Sequence, residues 1–214
     1  AAAAAGAWPT VAAHCAKVEA AGRGAGGGGA GPSSSAPAAS TGVQLSVLAA
    51  AAAGAAAAAF DARKYRAAAL RFAGVGAELG DGLAGRPERA WLGSPADVAL
   101  FGGLAGAAGL EWGEVSTALL ASPSFRDHLD ARPDVRAALT DLAAGHFGPA
   151  LAGLRALTAG PASRLDARLA GHAPALYAQA RARILCQYAR PYASLRLEPA
   201  AADLGMSVRC GTFI

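Results

Sequence analysis

Large apolar side chains recur at helical spacing through most of this chain, and no stretch alternates apolar and polar residues as a half-buried strand would. The stripes are clearest in the second half of the chain. They comprise Val98, Phe101 and Leu104; Trp112, Val115 and Leu119; Phe125 and Leu129; Val135, Leu139 and Leu142; Phe147, Leu151, Leu154 and Leu157; and Tyr177, Ile184 and Tyr188. The sequence therefore predicts an all-α fold, an array of helices in which any sheet is small.

Capping and turn residues indicate where these helices begin and end. Asp97 can cap the helix that carries the first stripe. Pro133 suits the first turn of a later helix, and Gly145 is a fitting stop for it. Gly160-Pro161 ends the next helix, and we expect the last long helix to run from about Ala173 to Ala189.

The first half of the chain is dominated by alanine and glycine. Residues 21–42 are rich in glycine, serine and proline, which predicts a flexible linker. Residues 43–60 approach the length of a membrane-spanning helix, but alanine contributes little to insertion, so a buried helix from Gln44 to about Ala62 is favoured. A second helix follows with Tyr65, Ala69 and Phe72 on one face, and such pairs of small-residue helices are typical of tetratricopeptide-like stacks.

Charge and cysteine content narrow the possible functions. The formal net charge of +4 and the pI of about 9.3 permit contact with an acidic partner but do not indicate it. Cys15, Cys186 and Cys210 are odd in number and far apart, which argues against a disulfide framework or a zinc site and favours a reducing compartment. Cys186 lies among apolar neighbours, so we expect a buried, inert thiol. The first residues lack the basic start and leucine-rich centre of a signal peptide. The chain does not begin with Met, so we expect a fragment.

A search for catalytic and ligand-binding motifs finds none that is specific. Residues 22–27 formally match the dinucleotide fingerprint GxGxxG, but no strand precedes them. The four histidines, His14, His128, His146 and His172, are isolated from one another, and each is expected to be a surface or packing residue. No Walker motif or GxSxG elbow is present. The sequence therefore predicts no catalytic, metal or cofactor site.

Four arginines near the end of the chain raise a nucleic-acid hypothesis. They are Arg181, Arg183, Arg190 and Arg196. Aromatic stacking platforms and a lysine-rich patch are missing, so a solvated helix face with partner contacts is the favoured interpretation.

Five segments carry more specific patterns, in order along the chain. They are WPTVAAHCAKVE (8–19), DARKYRAAA (61–69), DVALFGGL (97–104), SPSFRDHLDARPDVRAAL (122–139) and LYAQARARILCQYARPYASLRLEPAAADLGMSV (176–208). Together they resemble the subunit 1 family of the COP9 signalosome. In the last segment an arginine-rich helix ends in Gln187-Tyr188 and is followed by the Pro191-Tyr192 turn, as in that family.

The resemblance implies helical repeats followed by a PCI domain, and with the linker and the tail the chain divides into five segments. The implied parts are a repeat fragment (1–20), the linker (21–42), a helical-repeat region (43–95), a PCI domain (96–208) with a winged helix from about 191, and a divergent tail (209–214). Since the family pattern does not continue after Val208, we expect an incomplete winged helix that lacks its wing strands and the strand edge used for pairing.

The resemblance also implies a structural role for the site residues. Gln187, Tyr188, Pro191 and Tyr192 are expected to orient the corner between the helix and the winged helix. Leu195, Leu197 and Leu204 are expected to start the small core of the winged helix.

The function implied by the family is that of a non-catalytic scaffold. It supports removal of a ubiquitin-like modifier from cullin-RING ligases through assembly with other signalosome subunits by PCI–PCI contacts. The implied location is nucleus and cytoplasm, with no cofactor and no membrane contact. Two alternatives stay open: a lid subunit of the 26S proteasome regulatory particle, and a winged-helix protein that binds nucleic acid.

Overall fold

The computed structural model describes Lys17, residues 38–76 and 94–206, and the two short strands beyond them. Lys17 is helical and exposed. The rest of the predicted repeat fragment (1–20), most of the predicted linker and residues 77–93 of the predicted helical-repeat region lie outside the described residues.

The described part of the chain is almost entirely helical, which confirms the all-α prediction. Its helices are α1 (Ala38–Asp61), α2 (Tyr65–Ala73), α3 (Pro95–Gly109), α4 (Trp112–Glu114, continued by the π-helical segment Val115–Leu120), α5 (Pro123–Asp130), α6 (Pro133–Ala144), α7 (Phe147–Ala159), α8 (Pro161–Leu165), α9 (Ala167–Ala189) and α10 (Leu197–Asp203). Strands β1 (Val208–Arg209) and β2 (Thr212–Phe213) form one antiparallel pair.

Helix α1 begins at Ala38, before the predicted start at Gln44, so the last residues of the predicted linker are helical. Alanine has the highest helix propensity, and Pro37 directly before the helix suits a helix start. The helix ends in a turn at Arg63, which has a φ of +58°. Phe60 is fully buried near this end and makes edge contacts with Tyr65 and Phe101.

Helix α3 is the centre of the array, with every residue from Val98 to Ala108 buried. It packs against α2, α5, α6 and α9. The N-cap is Ser94, not Asp97 as predicted: the Ser94 hydroxyl accepts from the Asp97 N–H, and Asp97 Oδ2 accepts from the Ser94 N–H at 2.7 Å. The prediction was wrong by one turn because Asp97 is the third residue of a capping box and Pro95 occupies the first turn.

Glycine allows the neighbours of α3 to approach its backbone. A Cβ on Gly102 would lie 2.7 Å from Phe125 Cε2, and one on Gly103 would overlap Val135 Cγ1. These glycines belong to the DVALFGGL segment, so a motif that carries the family resemblance has a packing function in this fold.

The helices that follow begin and end largely as predicted. Ser122 caps α5, and Pro133 opens α6. Gly145 ends α6 with a φ of +86°, a conformation that glycine adopts without a steric penalty. Helix α7 ends at Ala159, directly before Gly160-Pro161.

Helix α9 begins at Ala167 and not at about Ala173, so that predicted boundary was wrong. Asp166 Oδ1 accepts from the N–H groups of Arg168 and Leu169, both at 2.8 Å, which satisfies the first turn. Pro174, next to the predicted start, lies exposed inside the helix.

A pair of two-residue strands lies beyond α10, where the divergent tail (209–214) is predicted to begin, and that domain assignment stays a prediction. Val208 pairs with Phe213 and Arg209 with Thr212.

Candidate functional site: the corner between α9 and α10

The candidate site is the corner where α9 ends and the chain turns towards α10. The buried stripe of α9 consists of Leu169, Ala173, Leu176, Ala180 and Ile184. Pro191 removes a backbone donor just beyond the helix end, and the Tyr192 N–H bonds to the Ala189 carbonyl at 3.1 Å. The helix therefore stops at Ala189 and a tight turn follows.

A row of four aromatic rings supports this corner. Trp112 and Phe147 meet edge to face with centroids 4.8 Å apart, and Phe147 meets Tyr188 at 6.0 Å. Tyr188 then contacts Tyr192 at 5.7 Å. Such pairs stabilise by about 0.5–1.5 kcal/mol beyond the area they bury. The row connects α4, α7, the end of α9 and the turn that follows it.

The polar end of Tyr188 connects α9 to α10. Its hydroxyl donates to Asp203 Oδ2 at 2.8 Å. This hydrogen bond is the main cause that raises the pKa of Tyr188 to about 12. The end of α10 also lies against α7, since a Cβ on Gly148 would be 2.6 Å from the Asp203 carbonyl oxygen.

The structure brings the first four predicted site residues together at the corner. Gln187 and Tyr188 are partly buried on α9, whereas Pro191 and Tyr192 are exposed in the turn. Their predicted role in orienting the corner stays a prediction, and Tyr188 is the member with a defined bond to α10.

The three leucines expected to start a small core have different environments. Leu204 is 2% exposed and Leu195 is partly buried. Leu197 is 51% exposed, so the expectation that it lies in the core was wrong. It is the first residue of α10, whereas the buried residues Ala200 and Ala201 and the contact with Gly148 lie later in that helix.

The arginines proposed for nucleic-acid contact do not form one free patch. Arg183 donates to the Leu110 carbonyl at 2.9 Å and to Glu111 Oε1 at 3.0 Å. Arg190 and Arg196 are exposed, and Arg181 is partly buried. A glutamate thus offsets one of the four charges.

Cys186 is exposed, which contradicts the predicted buried thiol. The buried stripe of α9 passes through Ala180 and Ile184. Position 186 is two residues beyond Ile184, about 200° further around the helix, and so lies outside the buried stripe. Apolar neighbours in the sequence did not predict the burial of Cys186, because consecutive residues of a helix lie on different faces.

Two histidines are packing residues, as predicted. His128 is 1% exposed, and its Nε2 donates to the Val75 carbonyl at 3.1 Å. His172 Nδ1 lies 3.0 Å from the Tyr65 hydroxyl, and the His172 ring lies 4.9 Å from Phe60. Desolvation lowers the pKa of His172 and raises that of Tyr65.

Of the remaining two histidines, the structure describes only His146. His146 is exposed beside Asp141, at 3.5 Å, and His14 lies outside the described residues. Among the residues that the structure describes, no group of three His, Cys, Asp or Glu side chains could hold a metal ion. In the same part of the chain, no helix is both long and apolar enough to cross a bilayer.

Several partners of the corner were not predicted from the sequence. Trp112 and Phe147 were expected only as members of separate helical stripes, and Asp203 was not singled out. No spacing rule pairs a tyrosine at one helix end with an aspartate at the next helix end. The meeting of Trp112 with Phe147 depends on how α4 and α7 pack and leaves no local pattern.

The fold and the site together define the class of protein, which is an all-α helical array. In this array the predicted site residues lie where helices pack against and connect to one another. No family model matches the chain. The chain is 32% identical over 144 residues to COP9 signalosome complex subunit 1 of Neurospora crassa. The aligned region covers 65% of this chain and 31% of the relative. It is 30% identical over 148 residues to COP9 signalosome complex subunit 1 of Arabidopsis thaliana, and this aligned region covers 69% of the chain and 32% of the relative.

A third relative has the same name. COP9 signalosome complex subunit 1 of Emericella nidulans is 33% identical over 105 residues, which covers 49% of this chain and 21% of the relative. These matches confirm the resemblance found in the sequence: the chain is related to a segment of COP9 signalosome complex subunit 1. It spans about a third of the length of the first two relatives.

Proposed function

We propose that this chain acts as a non-catalytic scaffold segment of a COP9 signalosome. In this role it supports removal of the ubiquitin-like modifier from cullin-RING ligases through protein–protein assembly. The observation that carries the proposal is its similarity to three proteins named COP9 signalosome complex subunit 1.

The environments of the predicted site residues support a scaffold role. Tyr188 bonds to Asp203, and Leu204 is buried. The glycines of DVALFGGL sit against Phe125 and Val135. These contacts position helices relative to one another and leave the motif residues occupied in packing.

The partners we propose are the other signalosome subunits, and cullin-RING ligases indirectly. Residues 96–208 would form a PCI domain with a winged helix from about 191, in nucleus and cytoplasm. Tyr192 and Leu197 are 52% and 51% exposed at the corner. Tyr192 lies in the turn and Leu197 begins α10, so both exposed side chains are candidate contact residues for a partner.

The test is co-expression of the tagged chain with the other signalosome subunits, with the proteasome lid subunits as a parallel set. We expect capture of signalosome subunits by the unaltered chain. The double variant Tyr192→Glu, Leu197→Glu should lose this capture, because charge on both side chains opposes burial in an interface. Leu165→Glu is the matched control, since Leu165 is 85% exposed on α8, at the other end of α9.

Three outcomes would contradict the proposal. They are capture of lid subunits alone, elution of the chain as an independent monomer that captures neither set, and equal capture by the corner variant and the control. Steeply salt-dependent DNA binding without subunit capture would favour the nucleic-acid alternative.

A further inference from the structure

A cavity of about 460 Å³ lies beside α9, on the side towards α4 and the start of α7. Its apolar lining includes Leu110, Trp112, Val115, Leu142, Phe147 and Ile184. Its volume falls within the range of about 300–1,000 Å³ that is usual for ligand pockets. The cavity can therefore hold one large apolar side chain of a partner.

The rim of this cavity is polar and carries positive charge. Arg183, Gln187 and Arg190 contribute to the lining from α9. Glu111 neutralises Arg183, with 3.0 Å between Arg183 Nη2 and Glu111 Oε1. The exposed Arg190 side chain has no hydrogen bond or ion pair within the described part of the chain, so its charge is available to a carboxylate.

Arg183 also borders a second, shallower cleft of about 530 Å³. Arg63, Lys64 and Arg66 line this cleft, and none of its lining residues is acidic. Arg66 pairs with Glu114, so the uncompensated positive charge comes from Arg63 and Lys64. The two cavities adjoin, because Arg183 lines both.

We propose that this surface binds a short acidic peptide segment of a protein partner. One large apolar side chain of the peptide enters the 460 Å³ cavity against Trp112 and Phe147. Carboxylates next to it face Arg190, and those further along, past Arg183, face Arg63 and Lys64. Charge complementarity sets the direction of the peptide and the apolar side chain anchors it.

The lining favours a peptide over a nucleic acid. Base stacking needs exposed aromatic faces next to the basic groups, whereas Tyr65 in the basic cleft is 3% exposed. Leu70 on the edge of that cleft is 43% exposed and offers an apolar contact to a peptide. This inference goes beyond the proposed signalosome role and holds for any complex in which the chain takes part.

The test uses three fluorescein-labelled hexapeptides and the full chain in an anisotropy titration. The first peptide has one phenylalanine among glutamates, the second replaces phenylalanine by alanine, and the third replaces the glutamates by lysines. We expect saturable binding of the first, binding about tenfold weaker for the second because the apolar anchor is lost, and no binding of the third. A single-stranded oligonucleotide serves as the fourth probe.

Two variants and a labelling experiment test where on the surface the peptide binds. Arg190→Glu should weaken binding of the first peptide about tenfold, because a rim attraction becomes a repulsion, whereas Arg164→Glu on α8 should leave it unchanged. Ala182→Trp, at an exposed lining position, should block the cavity and abolish the preference for phenylalanine over alanine. In a Cys15→Ser, Cys210→Ser background, the first peptide should slow maleimide labelling of Cys186, which lines the cavity.

Four results would overturn the inference. They are no binding of the acidic phenylalanine peptide at millimolar concentration, equal binding of the acidic and basic peptides, equal losses in Arg190→Glu and Arg164→Glu, and tighter binding of the oligonucleotide with competition for the same site. Circular dichroism of each variant verifies that the helices are retained.

Discussion

The Tyr188 hydroxyl donates to Asp203 Oδ2 at 2.8 Å and so connects the last turn of α9 to the last turn of α10. The two residues are separated by the Pro191-Tyr192 turn and by the length of α10. This polar contact therefore joins the two helix ends across the turn, beside the aromatic row. The aromatic neighbours Phe147 and Tyr192 position the Tyr188 ring for this bond.

Ionisation of Tyr188 should release this contact at alkaline pH. Its pKa is raised from 10.0 to about 12, because the hydrogen bond to Asp203 favours the protonated phenol. A group with a raised pKa stabilises the fold fully below its unfolded value and loses that contribution as pH rises through the folded value. We therefore expect the corner to be intact below pH 10 and weakened between about 10 and about 12.

An absorbance titration of the phenolates measures this effect. The unaltered chain should show a tyrosine step near pH 12 that Tyr188→Phe removes, whereas Tyr65, whose pKa burial also raises, is common to all the proteins compared. Asp203→Asn is the matched control, because it keeps a short polar side chain but removes the charge, and it should move the step towards 10. A titration curve that is the same in all three proteins would refute the assignment.

Gly109 should not tolerate a side chain. A Cβ there would overlap the Arg66 backbone nitrogen and lie 2.8 Å from the Tyr65 carbonyl carbon, and backbone cannot move aside as a side-chain end can. We expect Gly109→Ala to lower the free energy of unfolding by about 1–3 kcal/mol, the usual cost of overpacking. Urea unfolding followed by circular dichroism measures the change.

Gly171→Ala is the control for Gly109→Ala. Gly171 lies inside α9, and a Cβ added to it would have no neighbouring atom within 4 Å. Alanine should there stabilise the helix by about 0.5–1 kcal/mol. Equal losses in the two variants would show that the close approach at Gly109 is not the cause.

His128 should be needed as a buried donor. Its Nε2 bonds to the Val75 carbonyl, just beyond α2, and Ser122 Oγ donates to the Ala73 carbonyl nearby at 3.0 Å. His128→Leu keeps the bulk but leaves the Val75 carbonyl without this donor, at an expected cost of about 1–3 kcal/mol. His146→Leu should change stability by less than about 0.5 kcal/mol because His146 is exposed. If His128→Leu lowers the free energy of unfolding by less than His146→Leu does, the role of His128 as a buried donor is contradicted.

The sequence was sufficient to predict the helices and most of their ends, because apolar spacing and caps such as Pro133 and Gly145 are local signals. It was insufficient where two signals compete. Pro174 resembles a helix start, but the Asp166 cap begins α9 one turn and a half earlier. Ser94 was overlooked because Asp97 is also a good capping residue in isolation.

The corner could be predicted only in part. Gln187, Tyr188, Pro191 and Tyr192 were identified by resemblance, and the structure places them together. The bond from Tyr188 to Asp203 depends on the path of the turn between α9 and α10, which no residue spacing encodes. The exposure of Leu197 likewise depends on which end of α10 meets α7. Both are tertiary properties.

His172 should make the stability of the fold depend on pH below neutrality. Burial lowers the pKa of His172 from its ordinary 6.5, with Arg63 and Arg168 as positive neighbours and Asp61 as an opposing negative one. The unfolded chain therefore takes up a proton at higher pH than the folded chain. Its contribution to stability is present above 6.5 and is lost as pH falls through the lowered folded value.

The comparison of unfolding at two pH values tests this histidine. Between about pH 7.5 and about pH 5.5, the urea midpoint of the unaltered chain should fall more than that of His172→Phe, which retains an aromatic ring against Phe60 but cannot take up a proton. His146→Phe controls for an exposed histidine and should keep the full pH dependence. Burial raises the pKa of Asp61 and the neighbouring His172 opposes this rise, so the comparison reports the two groups as a pair. A fall of equal size in the unaltered chain and in His172→Phe would rule out His172 as the source.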